Sequence, residues 1–226
     1  MRMLLTASSE IINMFFDSLL DWVYKKKCYF CKSSKEAVKM CSDCYDTLEH
    51  LPVTVNRVIE GKMVYCAGVY SKNLQKLIRG LKYHNQPDLA FYLAKFMYEY
   101  FSQITDKKEF EIVPVPIFSK REKKRKYNHM NLTGEEFARL SGNSFNKNLI
   151  SRIKDTKPQY KLKRQERLKN LSNAFMVNKE YYTGKTILLI DDICTTGSTF
   201  EEMIKELEKN GIKDIVCFAA TTPFEI

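Results

Sequence analysis

The chain has 226 residues and a mass of 26.5 kDa, enough for one α/β domain of ordinary size and a small appendage. With 44 % apolar and 12 % aromatic residues a packed core is within reach and wholesale disorder is excluded; only 6 Pro and 8 Gly exclude a collagen-like or linker-dominated architecture. No run approaches the roughly 18 consecutive apolar residues of a membrane-spanning helix, and 37 Lys+Arg against 27 Asp+Glu leave a net charge of +10, which suits a polyanionic partner or phosphorylated ligand and equally a solvated basic surface.

In chain order, residues 8–24 read as an amphipathic helix. Ile12, Phe15, Leu19 and Trp22 recur at helical spacing, Ile11, Phe16 and Val23 widen the stripe, and Ser8 or Ser9 is placed to cap its start. Glu10, Asp17 and Asp21 interrupt the apolar core that a secretory signal requires. The stripe is expected to pack on the body of the protein, with membrane-surface contact as the other use. The expected domains are this helix (1–24), a four-cysteine module with its linker (25–60), and a main domain (61–226).

The module carries Cys28 and Cys31, then Cys41 and Cys44, two Cys-x2-Cys pairs separated by nine residues. A two-residue gap turns both thiolates of a knuckle toward one ion, and two knuckles close a tetrahedral four-thiolate shell. Four soft ligands select Zn2+ over hard cations, with an iron–sulfur cluster as the lesser alternative and a redox pair as the metal-free one. A closed shell is structural, and a module of about 20 residues has no core of its own, so zinc binding of roughly 10–16 kcal/mol would supply its folding energy. Metal-type cysteines without a secretory signal point to the reducing cytoplasm. Cys66, Cys194 and Cys217 fall in or beside strand patterns and read as buried thiols.

Residues 64–70 follow as a strand, 71–81 and 88–102 as helices with apolar positions Leu74, Leu77, Ile78 and Leu81, then Leu89, Leu93, Phe96 and Tyr100, and 111–115 as a short strand broken by proline. A basic run at 120–126 leads into a helix expected to continue to about Leu140. A second basic region, 152–169, has 8 Lys+Arg against 2 acids, and 173–177 is extended. The strongest α/β signal comes last: strand 185–191, a polar loop, amphipathic helix 199–209 and strand 214–220. Continuous apolar strands alternating with helices imply a parallel sheet covered on both faces.

That last unit carries the most chemistry. Asp191 and Asp192 stand at the carboxyl end of the strand, where parallel sheets place ligands. Thr195, Thr196, Gly197, Ser198 and Thr199 form the turn into the helix, presenting N–H groups and hydroxyls to a phosphate. Two acids beside a phosphate cradle would repel it, unless they accept hydrogen bonds from a neutral diol such as the ribose 2′ and 3′ hydroxyls. The loop thus reads as a ribose 5-phosphate clamp. No Gly-Lys-Ser/Thr follows, so it is no Walker loop.

The thirteen positions Ile187–Thr199 resemble the 5-phosphoribosyl 1-pyrophosphate (PRPP) motif of type I phosphoribosyltransferases. The preceding four-cysteine knuckle, Leu81-Lys82-Tyr83, Val113-Pro114-Val115-Pro116 and the spacing of Thr156, Gln159, Leu162, Arg167, Asn170, Ala174 and Phe175 narrow the resemblance to the ComF family of natural competence, including its amidophosphoribosyltransferase-like branch. The resemblance covers about residues 16–222. It implies an α/β phosphoribosyltransferase-like fold behind a zinc module and PRPP binding with Mg2+ on the pyrophosphate and ribose oxygens. In that case Asp191 and Asp192 hold the ribose hydroxyls as the catalytic pair, and Thr195–Thr199 hold the 5-phosphate. It also implies a role in DNA uptake beside the uptake machinery, in the cytoplasm or peripherally at the inner face of the membrane. Two departures stand out. Where the family carries Arg-Gly-Phe/Tyr-Asn-Gln, this chain has Arg125-Lys126-Tyr127-Asn128-His129, and the usual glycine after the Leu-Lys-Tyr segment is Asn85.

A pyrophosphate leaving group needs cations, and Lys82, Arg121 and Arg125 are the candidates. The basic runs carry a second expectation, single-stranded DNA: Lys123, Lys124, Lys161 and Lys163 on phosphates, with Tyr127 and Tyr160 as stacking platforms. His84 and His129 are the spare acid–base candidates. No acceptor-binding hood is legible. An active Mg2+-dependent transferase of nucleotide metabolism or salvage with an unknown acceptor, and a competence protein that handles DNA, are the two functional expectations.

Overall fold

The computed structural model describes residues 27–55, 57–104, 109–155 and 171–223. The helix expected over 8–24 and most of the second basic region, with Tyr160, Lys161 and Lys163, lie outside the described residues. The chain divides into two compact units, Met1–Thr47 and Leu48–Ile226. Among described residues, no helix is long and apolar enough to cross a membrane.

The first unit is organised around its cysteines. The Cys28 amide donates to Ser33 O and the Lys32 amide to Cys28 O, closing one knuckle. The other opens the short helix α1 (Ser42–Tyr45), with Cys41 at its N-cap. The Glu36 carboxylate accepts from the Ser42 amide at 3.0 Å and from its hydroxyl at 2.9 Å, joining the two.

The second unit holds a six-stranded sheet of β1 (Arg57–Ile59), β2 (Lys62–Val69), β3 (Phe110–Pro114), β4 (Ser144–Phe145), β7 (Thr186–Ile193) and β8 (Ile215–Thr222). Its order is β1-β2-β8-β7-β3-β4, and β5 (Ile150–Arg152) pairs antiparallel with β6 (Phe175–Val177) as a separate ribbon. Every pair in the large sheet is parallel except the β1–β2 hairpin. The expected mostly parallel α/β sheet is therefore present.

Both faces are covered. On one, α2 (Lys72–Tyr83), α3 (Leu89–Phe101) and α5 (His129–Ser141) bury the apolar stripes read from the sequence. Phe101 meets Phe110, Phe137 and Phe218 with ring centroids 5.4–5.5 Å apart. On the other, α6 (Ser198–Lys209) lays Phe200, Met203, Ile204 and Leu207 against a core containing Val64, Cys66, Val113, Ile187, Leu189, Cys217 and Ala219. Cys66, Cys194 and Cys217 are buried, as expected.

From β3 the chain leaves toward β4 on one side; from β7 it leaves through α6 toward β8 on the other. The crevice between the carboxyl ends of β3 and β7 is thus a topological switch point, where open α/β sheets bind ligands.

One expectation needs correction. The helix expected to run from the basic stretch to Leu140 is two helices, α4 (Ser119–Arg125) and α5. Lys126 adopts a left-handed conformation (φ 69°) that ends α4, and Asn128 caps α5 by accepting from the amides of Met130 and Asn131. Lysine and asparagine announce a break weakly, so periodicity ran straight through it. Lys126 stands where the ComF pattern has glycine. A non-glycine residue at this φ costs about 1–2 kcal/mol, part of which is offset by the greater freedom of glycine in the unfolded chain. Lys126→Gly is therefore expected to raise stability by about 0.5–1 kcal/mol, measured by chemical denaturation; an unchanged or lower stability would show that the lysine side chain compensates.

Candidate functional site

The loop after β7 is built by several elements. The Cys194 amide donates to Thr221 O at 2.8 Å, carrying the sheet register one residue past the strand. Gly197 then takes φ 81° and α6 begins at Ser198. A Cβ at Gly197 would run into Ile59 Cδ1, so close approach and dihedral both demand glycine. Thr196 Oγ1 and Ser198 Oγ lie 2.7 Å apart and share a hydrogen. Asp191, Thr195, Gly197, Ser198 and Thr199 line a small pocket here. With the amino end of a helix behind it, this pocket favours an anion.

Two residues missed at the sequence level brace the loop. Arg57 Nη1 donates to Thr195 O at 2.7 Å and its Nη2 to Thr222 Oγ1 at 3.2 Å, while Ile59 covers Gly197. Both belong to β1, three residues long. The available signal was the alternation of 57–59 and 62–64 about Glu60-Gly61, both at positive φ, a hairpin turn.

The two acids have different surroundings. Asp192 is buried, and its Oδ2 accepts from Lys82 Nζ at 2.6 Å and from His129 Nε2 at 2.5 Å. Arg125 Nη1 donates to His129 Nδ1 at 3.1 Å, which assigns the Nε2–H tautomer. Burial works to raise the Asp192 carboxyl, but Lys82 and His129 outweigh it and hold it below the usual range. Burial lowers His129 from its ordinary 6.5 against the pull of Asp192. Asp191 is pushed well up, first by burial and then by the Asp192 charge, while its Oδ1 accepts from the Asp192 amide at 2.8 Å. The pair therefore presents less than two negative charges to the loop. One acid is countered by an ammonium and the other holds a proton more readily.

Of the pyrophosphate candidates, Lys82 is thus at the acids and Arg125 one contact behind them. Arg121 lies on α4 with Lys123, which is exposed, and Lys124. The Tyr127 hydroxyl donates to Leu81 O at 2.7 Å, so that half-buried ring ties the α4–α5 junction to α2. His84 is exposed at the end of α2, and Asn85 takes the left-handed conformation (φ 51°) in place of glycine.

In the first unit, the Sγ atoms of Cys28, Cys31, Cys41 and Cys44 all lie within 4.8 Å of one another, and those of Cys31 and Cys41 are 3.6 Å apart. A Zn–S bond of about 2.3 Å implies tetrahedral S–S edges of about 3.8 Å, so the donor set fits a zinc ion. Burial opposes ionisation of Cys28, yet backbone groups of Cys31, Cys41 and Phe30 bring its thiol down to about 6. Among the described residues this is the one group of three or more His, Cys, Asp or Glu side chains placed to hold a metal.

Comparison with known proteins agrees with this geometry. Residues 141–222 match the phosphoribosyl transferase domain family. Over 202 residues the chain is 29 % identical to Competence protein F of Haemophilus influenzae, covering 83 % of this chain and 86 % of that one. It is 26 % identical over 197 residues to the DNA utilization protein YhgH of Salmonella typhimurium, covering 81 % and 85 %. It is 25 % identical over 185 residues to Competence protein ComFC of Bacillus subtilis, covering 81 % and 72 %. The ComF resemblance and the phosphoribosyltransferase-type α/β fold are borne out.

The His129 arrangement generates a pH dependence. Its folded pKa lies below the unfolded value near 6.5, so on acidification the unfolded chain takes up the proton first and stability falls below about pH 6.5. Asp191, raised, works in the opposite direction, and Asp192, lowered, contributes stability that is lost only as pH falls through the acid range. Comparison with His129→Gln isolates the histidine. Wild type is expected to lose stability relative to the variant between about pH 7.5 and 5.5, read from melting curves; parallel curves would remove His129 from the account.

Proposed function

We propose that this ComF-type chain, with its phosphoribosyl transferase domain, binds PRPP or another ribose 5-phosphate at the carboxyl end of β7 and acts in natural competence by handling incoming single-stranded DNA. The observation that carries the ligand reading is the joint placement of Asp191, Asp192 and the Thr195–Thr199 turn at the switch point of the sheet. In this reading the turn seats the 5-phosphate and the acids receive the ribose hydroxyls. Lys82 uses one of its three ammonium hydrogens on Asp192 and has others for a pyrophosphate oxygen, and Arg121 and Arg125 remain the further pyrophosphate candidates. Mg2+, when bound, supplies further neutralisation of the pyrophosphate. Asp191 and Asp192 form no protein-only cage for it, so it would enter on the ligand's own oxygens. Zinc at the four cysteines would be structural.

The competence role draws on the names of the Haemophilus and Bacillus relatives. The strand-binding role draws on the basic segments at 120–126 and 152–169. The intact acid pair and loop favour a second reading, an Mg2+-dependent phosphoribosyltransferase. Steady-state release of pyrophosphate with any acceptor would move the assignment there.

PRPP with Mg2+ is expected to raise the melting temperature, in line with about 2.7 kcal/mol at roughly 100 times the dissociation constant. Asp191→Asn together with Asp192→Asn is expected to abolish PRPP binding in calorimetry while inorganic phosphate still binds. An unchanged PRPP affinity would show that the acids do not hold the ribose.

Protein purified without chelator is expected to contain one zinc per chain, and Cys41→Ser to release it while the unit from Leu48 onward keeps its melting transition. Metal analysis finding no zinc would overturn the structural-zinc assignment.

A further inference from the structure

We propose that Tyr83, with Arg79 and Arg125 converging on its ring, is a stacking platform for one nucleobase of a single strand at the rim of the phosphoribosyl site; the inference rests on the strand-handling reading above and adds its contact residue. Tyr83 is the last residue of α2 and is 59 % exposed. The buried stripe of α2 is already complete in Leu74, Leu77, Ile78 and Leu81, so the core does not call for this ring.

The surroundings of the ring distinguish it from an ordinary exposed tyrosine. The Arg79 guanidinium lies 5.9 Å from its centroid and that of Arg125, arriving from α4, lies 5.6 Å away. Among the described residues neither guanidinium pairs with a carboxylate; the other polar partner of Arg125 is the imidazole of His129. Each guanidinium lies within 6 Å of the same exposed ring, so the ring is flanked by two positive charges that attract an anion to it. Guanidinium groups both stack on planar rings and pair with phosphate oxygens. A nucleotide offers both features at once, a π-face for Tyr83 and a phosphate for the arginines, whereas a simple anion leaves the ring unused.

The platform is joined to the ribose acids by short contacts. Lys82, the preceding residue, is ion-paired with Asp192. Arg125 faces Tyr83 and donates to His129, which in turn donates to the same Asp192 oxygen. Tyr70 follows β2 directly, its amide donating to Thr222 O at the end of the parallel strand β8, so a second aromatic residue stands at the same carboxyl end of the sheet.

The test measures binding of fluorescent oligothymidylate of about 12 nucleotides, and of an abasic strand of equal length, to wild type, Tyr83→Ala and Tyr83→Phe at one fixed salt concentration. Tyr83→Ala is expected to weaken oligothymidylate binding by about tenfold and to leave the abasic strand within about twofold, while Tyr83→Phe, which keeps the ring, behaves as wild type. Equal losses for both strands would show that charge placement and not stacking is at work, and would overturn the proposal, as would no loss with either. A Tyr83→Phe variant as weak as Tyr83→Ala overturns it too, and wild-type melting curves for both variants would exclude misfolding as the cause. If wild type binds neither strand, the strand-handling reading itself falls; if wild type binds and Tyr83→Ala binds equally well, only the platform falls.

Discussion

One oxygen atom organises the carboxyl end of this sheet. Asp192 Oδ2 receives Lys82 Nζ from α2 and His129 Nε2 from α5, so three elements distant in sequence meet on a single acceptor at the end of β7. A buried carboxylate needs such partners, and removing one leaves an uncompensated charge at a cost of about 3–5 kcal/mol. The same contacts bear on the proposed ligand: the Lys82 ammonium offsets the Asp192 charge, and burial with the Asp192 charge makes Asp191 hold a proton more readily than a free carboxyl.

The packing of α5 makes the contact geometrically available. A Cβ at Gly134 would come within 2.8 Å of Phe145 and 3.0 Å of Ile190, so only glycine lets the helix lie this close to β4 and β7. Asn128 begins the helix so that His129 occupies its first position and points at the strand end. From the opposite edge of the sheet, the β1–β2 hairpin performs a comparable service for the Thr195–Thr199 turn. Arg57 fixes the Thr195 carbonyl and Ile59 closes over Gly197. The loop is therefore held from outside as well as by its own hydroxyls, which suits a site whose donors must stand in place before the anion enters.

What could be read from the sequence follows the range of each interaction. The strand at 185–191, its acids, the Thr-Thr-Gly-Ser-Thr turn and the next helix are contiguous, and local pattern sufficed for them. The four-cysteine cluster was legible because two residues between thiols is a geometric signature in itself. The partners of Asp192 were not legible as partners. Lys82 was recognised as a cation and His129 as a departure from the family pattern, but periodicity says nothing about which distant side chains share an oxygen. The strand at 57–59 falls within the expected linker, because three residues carry too little alternation to stand out beside a neighbouring module.

The break between α4 and α5 was missed for a different reason, and it shows how the departure at Lys126 relates to the site. Had 120–140 been one straight helix, Arg125 and His129 would have been stacked neighbours one turn apart on a single face. The left-handed residue at 126 turns the chain instead, and Tyr127 pins the turn to α2 through the Leu81 carbonyl. Arg125 thereby approaches His129 from outside the helix that His129 begins, at its Nδ1, and leaves Nε2 for the acid. Because the imidazole accepts on one side, it must donate on the other, so the arginine sets the tautomer that serves Asp192. Glutamine, the usual residue at this position in the family pattern, can also donate to a carboxylate, but it cannot change its donor count by gaining a proton. Histidine here introduces a group whose charge responds to pH, and it does so on the atom through which α2, α5 and β7 are joined.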